Sequence, residues 1–239
     1  MTKGCIYYTD NKIDDTPIFK VAQRFIKESG LPIVSTSLKP IDFGTNIVVE
    51  GERSYPTMVK QILTALENST TDYVFFTEHD VLYPKSHFDF TPPRDDIFYY
   101  NSNVWRWFYQ EDTAITHDRM LPLSSLCVNK DFALDHYRMR MARVMELGLD
   151  EFRSREPRWA RRWGYEPGTK KIKRGGFTDD DFETWRSEYP IIDVRHTWSF
   201  SRPKIKLSEF KHEPKWWKER PIEEIEGWDL KSLFNERII

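Results

Sequence analysis

The first eighty residues alternate short apolar runs with longer amphipathic stretches, and that order constrains the fold more than any other feature of the chain. "GCIYYT" (4–9) is a run of apolar, β-branched and aromatic residues with little polar alternation, which marks a strand buried on both faces. Thr16 and Pro17 then offer an N-cap and a first-turn proline. Ile18, Val21, Ala22, Phe25 and Ile26 recur at helical spacing before Gly30 closes the helix. "LPIVSTS" supplies a second strand and "NIVVE" a candidate third. Ser54 caps another helix, with Met58, Val59, Ile62, Leu63 and Leu66 on its apolar face, and "YVFF" follows as a further doubly buried strand. Strand, helix, strand, helix, strand predicts an α/β fold with a mostly parallel sheet flanked by crossover helices. Such sheets gather ligands at the carboxyl ends of their strands. "YYTDN" (7–11) and "FFTEHD" (75–80) are two such ends, and they are where chemistry is expected.

Beyond Pro92 the pattern changes. "IFYYNSNVWRW" and "LPLSSLCVN" predict more strands in the same sheet, and Asp131 opens a long helix that ends at Gly148. "FETWRSEYP" reads as one or two helical turns, "IIDVRHTWSF" as a strand running into a loop, and residues 206–239 as an aromatic, charged tail over the surface. The expectation is a single domain, residues 1–205, with a C-terminal extension over 206–239.

Composition narrows the class. Hydrophobic residues at 39% and charged residues at 31% fit a globular protein and exclude long-range disorder. No apolar stretch approaches the roughly 20 residues of a membrane-spanning helix, and "MTKGCIYYTD" lacks a secretory apolar region, so a cytoplasmic protein is expected. Cys5 and Cys127 both fall in apolar strand-like segments, where free cysteine behaves as a small buried hydrophobe, and no structural disulfide is expected.

Side chains alternate along an extended segment, so Glu78 and Asp80 are expected on one face and His79 on the other, as a packing residue. Two carboxylates at that spacing repel unless a cation lies between them. A divalent ion with oxygen ligands is one occupant; the other reading is a solvated or salt-bridged pair of loop charges. A second feature is the segment from Arg153 to Gly176, which holds nine Lys or Arg against two Glu. There Arg158, Trp159, Arg161, Arg162, Trp163, Lys171 and Arg174 interleave cations with aromatic rings, the composition of a groove that tracks a nucleic-acid backbone. A solvated basic loop that steers anions, or a site for an anionic glycan or lipid-linked acceptor, has the same composition.

Taken in order, "KGCIYYTDNK", "LPIVSTSLKPIDFG", "FFTEHDVLYPKSHFDFTPP", "FYYNSNVWRW", "GYEPGT", "DVRH" and "EGWD" resemble a group of short GT-A-fold, family-2-like glycosyltransferases of the phage and metagenomic type. The resemblance spans most of residues 3–230. It implies a nucleotide-sugar-binding half over 1–110 and an acceptor half over 111–205. It also implies a nucleoside-diphosphate sugar, UDP-linked by preference, as donor, and a divalent cation, Mn2+ or Mg2+, as cofactor. Asp80, Glu78 and the late histidine His196 become the implied metal ligands, with Tyr8, Thr9, Asp10 and Asn11 beside the nucleotide. Tyr8 as a plain core residue stays open. If the reaction inverts configuration a carboxylate must act as base, and Glu166, Asp180, Asp181, Glu111 and Asp112 are the candidates, with Glu166 and Asp181 preferred. Phage-type relatives and the basic segment together suggest double-stranded DNA carrying a hydroxymethylated base as acceptor, in host cytoplasm. A surface glycan or small molecule as acceptor, and a non-catalytic nucleic-acid-binding module, are the alternatives. Two positions depart from the family pattern: the acidic motif begins with Glu rather than Asp, and Trp198 stands where a smaller polar residue is expected.

Overall fold

A computed structural model describes residues 1–117, 120–147, 182–199, 206–210 and 216–235. The chain opens with β1 (Lys3–Thr9), α1 (Pro17–Glu28), β2 (Ile33–Ser37), β3 (Thr45–Val48), α2 (Tyr55–Asn68) and β4 (Tyr73–Glu78). It continues through β5 (Val81–Leu82), α3 (Lys85–Phe88), β6 (Phe98–Asn101), β7 (Val104–Phe108), β8 (Thr113–Thr116), β9 (Leu126–Asn129) and α4 (Lys130–Leu147). The last described elements are β10 (Phe182–Trp185), β11 (Ile191–Arg195), β12 (Lys218–Pro221) and α5 (Leu230–Asn235). Both expected helix starts form as read: the Thr16 hydroxyl accepts from the Phe19 amide and the Ser54 hydroxyl from the Thr57 amide.

The main sheet has seven strands in the order β10-β6-β9-β4-β1-β2-β3. β9 runs antiparallel to both neighbours, β4 and β6, and every other pairing is parallel. The fold is therefore α/β with a mostly parallel sheet, as expected. From β1 the chain first winds outward to β2 and β3, then returns to place β4 on the other side of β1. That reversal opens a crevice between the carboxyl ends of β1 and β4.

Strand alternation divides the core. Ile6, Tyr8, Val74 and Phe76 face α2 and α4, against Val59, Ile62, Leu66, Leu134 and Tyr137. Cys5, Tyr7 and Phe75 face the other way, toward α1 and a second sheet, against Val21, Ala22, Ile26, Val104 and Ile192. Burying each large aliphatic side chain is worth about 1.5–3 kcal/mol, so both layers hold the central strands. Cys5 and Cys127 are buried and free. Gly44 lies at φ +62°, and a Cβ there would meet the Ile33 carbonyl oxygen at 2.5 Å, so only glycine lets the chain turn into β3.

Four expectations need correction. β7 does not extend the main sheet; it joins a five-stranded sheet in the order β12-β8-β7-β11-β5. The cause is local: the Asn101 side chain accepts from the Asn103 amide at 2.9 Å, an Asx turn that ends β6 and redirects the chain. "FETW" is a strand, not helical turns. Phe182 and Trp185 have helical spacing, but parallel pairing with β6 and the Trp185–Phe90 stack, 4.1 Å between centroids, decide its state. The long helix begins at Lys130, and its cap is Asn129, whose Oδ1 accepts from the Asp131 and Phe132 amides. Part of segment 206–239 is built in: β12 pairs with β8, and the Trp228 indole donates to the Pro190 carbonyl while its ring meets Phe25 edge-on at 4.9 Å. Among the described residues no helix is long and apolar enough to cross a membrane.

Candidate active site at the ends of β1 and β4

A cleft of about 600 Å³, open mouth included, occupies the crevice between β1 and β4. Tyr8, Thr9 and Asp10 line it from β1, and Glu78, His79 and Asp80 from β4. Leu38 adds a wall beyond β2, Arg53, Ser54, Thr57, Met58 and Gln61 come from α2 and the loop before it, and Arg195 closes it from β11.

Tyr8 and Glu78 are register partners in the parallel β1–β4 pair, so their side chains share a face, and the Tyr8 hydroxyl donates to Glu78 Oε1 at 2.5 Å. Burial, reinforced by the charge on Asp80, pushes the Glu78 carboxyl up to about 8. Tyr8 itself is 6% exposed and packed with Ile6, Val74 and Phe76, so it presents an edge to the cleft and a body to the core.

β4 ends at Glu78, and residues 79–80 form a turn before β5. The alternation that assigned faces therefore stops one residue short of His79. The Val194 amide donates to the Asp80 carbonyl at 2.9 Å, which ties the turn to β11 and brings Asp80 beside His196. As a result His79, Asp80 and His196 each offer a donor atom within 4.8 Å of the others, and Glu78, engaged with Tyr8, stands outside that set. His79 is a member where a bystander was expected. Asp80 and His196 are 6% and 7% exposed, and His196 Nε2 lies 3.3 Å from Asp80 Oδ2. That nitrogen is buried and makes no hydrogen bond. Burial pushes the Asp80 carboxyl up, but contact with His196 and the charges of His79 and Arg195 outweigh it and hold the group below its ordinary value. A buried imidazole nitrogen that makes no hydrogen bond and faces a buried carboxylate at 3.3 Å is a donor set that fits a cation.

The site also contains cations that the sequence reading did not single out. Arg195 donates to Asp193 Oδ2 at 2.8 Å, and Asp193, 2% exposed, also accepts from Arg106 at 3.4 Å. The pairing braces the Arg195 guanidinium against the cleft, with its Nε buried and without a partner. The signal was present: Asp193 and Arg195 are two apart on one strand and so share a face. Arg53 pairs with Asp10 and donates to the Trp198 carbonyl at 2.8 Å, strapping the cleft mouth from the loop before α2 to the turn after β11.

The other expected residues divide clearly. Thr9 lines the cleft, its hydroxyl 2.7 Å from His79 Nδ1 and accepting from the Asn11 amide at 3.0 Å. Asn11 does not line it: its amide group donates to Asp14 and the Lys39 carbonyl and accepts from the Leu38 and Lys39 amides, knitting the β1 and β2 ends together. Glu111 pairs with Lys206 and Asp112 with Lys231, and neither lines the cleft. Glu166, Asp180, Asp181 and the whole basic segment, with Arg158, Trp159, Arg161, Arg162, Trp163, Lys171 and Arg174, lie outside the described residues.

No protein-family model matches the chain, and no curated protein matches it. Among solved structures, it is similar to a glycosyltransferase involved in glycosylation of the major capsid of PBCV-1, at 12% identity and TM-score 0.39, over 63% of this chain and 70% of that one. A Drosophila galactosyltransferase 7 variant in complex with manganese, UDP-Gal and xylobiose matches at 12% identity and TM-score 0.37, over 62% of this chain and 63% of that one. The mannosyltransferase PcManGT from Pyrobaculum calidifontis, in complex with GDP-Man and Mn2+, matches at 14% and 0.39, over 83% of this chain and 58% of that one. The likeness is distant in every case.

Proposed function

We propose that the protein is a metal-dependent glycosyltransferase that takes its sugar from a nucleoside-diphosphate donor bound in the β1/β4 cleft. One observation carries the reading: the buried Asp80–His196 pair, whose imidazole Nε2 makes no hydrogen bond, stands at the strand switch point of a mostly parallel sheet beside a cleft lined by Asp80 and Arg195. Asp80 and His196 would hold the divalent ion, which when bound supplies positive charge to the departing diphosphate. Arg195, braced by Asp193, offers the remaining N–H groups of a planar guanidinium to the same phosphate oxygens. Asp10, at the end of β1, accepts from the ribose or base once Arg53 gives way, and Leu38 and Met58 form an apolar wall for the nucleoside. Glu78 and Tyr8, fixed by their shared hydrogen bond, orient the donor sugar. If the reaction inverts, Glu166 or Asp181 is the proposed base that takes the acceptor proton.

UDP is the preferred nucleotide by resemblance alone, and the acceptor we favour is a hydroxymethylated base in double-stranded DNA. Support for DNA is the charge of residues 153–176. The test incubates the protein with a panel of nucleotide sugars and Mn2+, reads donor cleavage by mass spectrometry, then adds hydroxymethylated DNA, glycans and small hydroxylated acceptors. Donor cleavage that vanishes in Asp80→Asn supports the reading. Transfer to glycan but not DNA moves the acceptor to the surface-glycan alternative. Tight DNA binding without cleavage of any donor favours the non-catalytic module, and DNA affinity that is flat with rising salt removes DNA altogether.

A further inference from the structure

The order of donor atoms at the end of β4 departs from what an acidic motif implies. A carboxylate pair would make an oxygen-rich site, yet Glu78 is turned to Tyr8 and two imidazoles converge on Asp80 instead. We propose that His79 is a third protein ligand, and that the resulting His79–Asp80–His196 set selects a first-row transition ion, Mn2+ and the later members of the series, over Mg2+. This rests on the ion-bearing reading of the cleft given above.

Three observations support it. First, the three donor atoms lie within 4.8 Å of one another. Metal–ligand bonds of about 2.0–2.2 Å put neighbouring donors roughly 3 Å apart and opposite donors roughly 4.2 Å apart, so only a small closure is needed. Second, His79 is oriented by a hydroxyl. Thr9 Oγ1 lies 2.7 Å from His79 Nδ1, so an Nδ1–H that donates there leaves Nε2 unprotonated, with its lone pair free to ligate. A ligating histidine needs this arrangement, because the outer N–H fixes the ring and its tautomer. The same Thr9 oxygen accepts from the Asn11 amide, so the hydroxyl is itself held in place by the turn after β1. Third, His196 Nε2 is buried, without a hydrogen-bond partner and 3.3 Å from Asp80 Oδ2.

The donor chemistry then decides the ion. Mg2+ favours oxygen ligands in near-octahedral geometry and parts with water reluctantly, whereas imidazole suits manganese and, more strongly, the ions that follow it. One carboxylate and two neutral imidazoles leave a bound divalent ion with a net charge of +1. Arg195 at the same wall adds another positive charge, which suits an anionic diphosphate more than a site with two carboxylates would. A structural consequence follows for the turn after β11. The Trp198 amide donates to His196 Nδ1 at 3.2 Å, which assigns the ring proton to Nε2. An ion on Nε2 requires that proton on Nδ1, so the Trp198 contact is given up as the ion enters.

The test uses the full-length chain stripped with chelator and titrated with Co2+, Mn2+ and Mg2+ by calorimetry, with the Co2+ band read by visible absorption. Pulsed EPR of the Mn2+ form counts coordinated imidazole nitrogens. The expected result is Mn2+ bound at least tenfold more tightly than Mg2+, Co2+ tighter still, and two coordinated nitrogens. His79→Ala is expected to weaken Co2+ at least tenfold and leave one nitrogen. Because that variant also alters a partly buried turn, Thr9→Val is the companion: it is expected to weaken Co2+ by about tenfold, the usual effect of losing an outer hydrogen bond, while Thr9→Ser keeps wild-type affinity. Unchanged Co2+ affinity and nitrogen count in His79→Ala, or Mg2+ binding as tight as Mn2+, overturns the proposal. Donor cleavage is assayed on the same preparation. A two-nitrogen ion site with no cleavage of any nucleotide sugar sinks the transferase reading and leaves the ligand assignment standing; cleavage with a single coordinated nitrogen does the reverse.

Discussion

Arg195, proposed to meet the donor phosphates, has a geometry that suits that role. Its guanidinium is mostly buried, one amino group is committed to Asp193 at 2.8 Å, and its Nε has no hydrogen-bond partner among the described residues. A charge-assisted hydrogen bond to a phosphate contributes about 1.5–3 kcal/mol, or roughly 10- to 150-fold in affinity. Arg195→Met is therefore expected to raise the KM for the nucleotide sugar by at least about tenfold, whereas Arg195→Lys restores part of it, because the charge returns without the planar fork. Donor titrations of the two variants check this, and an Arg195→Met protein with wild-type KM would remove the residue from the donor site. At this scale the sequence was partly legible. Asp80 and His196 could be picked out from motif order, 116 positions apart, and the structure brings them to 3.3 Å. His79 could not, because alternation assigns faces only while the strand lasts, and this one ends at Glu78. Asn11 has a structural task that its place at a strand end does not reveal: its side chain accepts from the Leu38 and Lys39 amides and ties two loops together.

Between α3 and β10 the elements hold a buried titratable group outside the cleft. His87 is fully buried among Phe75, Tyr83, Phe88 and Trp185, its Nδ1 3.2 Å from the Asn101 side-chain amide and its Nε2 without a hydrogen-bond partner among the described residues. Burial pushes its imidazole down to about 3. The unfolded chain takes up a proton near pH 6.5 that the folded chain refuses until about pH 3, so stability falls as pH drops through that window. At about 1.4 kcal/mol per pH unit the loss reaches a few kcal/mol at the acid end. His87→Phe is expected to flatten this slope in urea midpoints measured from pH 7 to pH 4. An equally steep slope in the variant would place the acid sensitivity elsewhere. The elements themselves were the most legible level: β1, α1, β2, α2 and β4 follow from periodicity and caps. "FETW" was misread because a four-residue edge strand carries too few residues for its period to show, and pairing with β6 is a tertiary fact.

Across the whole molecule, the two sheets share one buried layer, and the C-terminal segment helps to close it. Ile222, Ile225, Trp228 and Leu230 are buried in the same core as α1 and β11, and β12 forms the edge of the second sheet. Ending the chain at residue 205 is therefore expected to expose that core and yield an aggregating or loosely packed protein, judged by lost near-ultraviolet circular dichroism and a lowered unfolding midpoint. A truncated chain with wild-type stability would show the segment to be an accessory. The split into two sheets was not legible: the polar run Asn101-Ser102-Asn103 marks a turn between two apolar runs, but which sheet the second run joins is a tertiary fact. By the function proposed here, the cleft at the β1/β4 switch takes a nucleoside diphosphate through an ion held at Asp80 and His196. Calorimetric titration of UDP and of GDP, with saturating Mn2+ and again with chelator, tests it most directly. Binding of at least one of them that requires the ion and is lost in Asp80→Asn is the predicted result; binding indifferent to both the ion and Asp80, or no binding of either nucleotide with Mn2+ present, would contradict it.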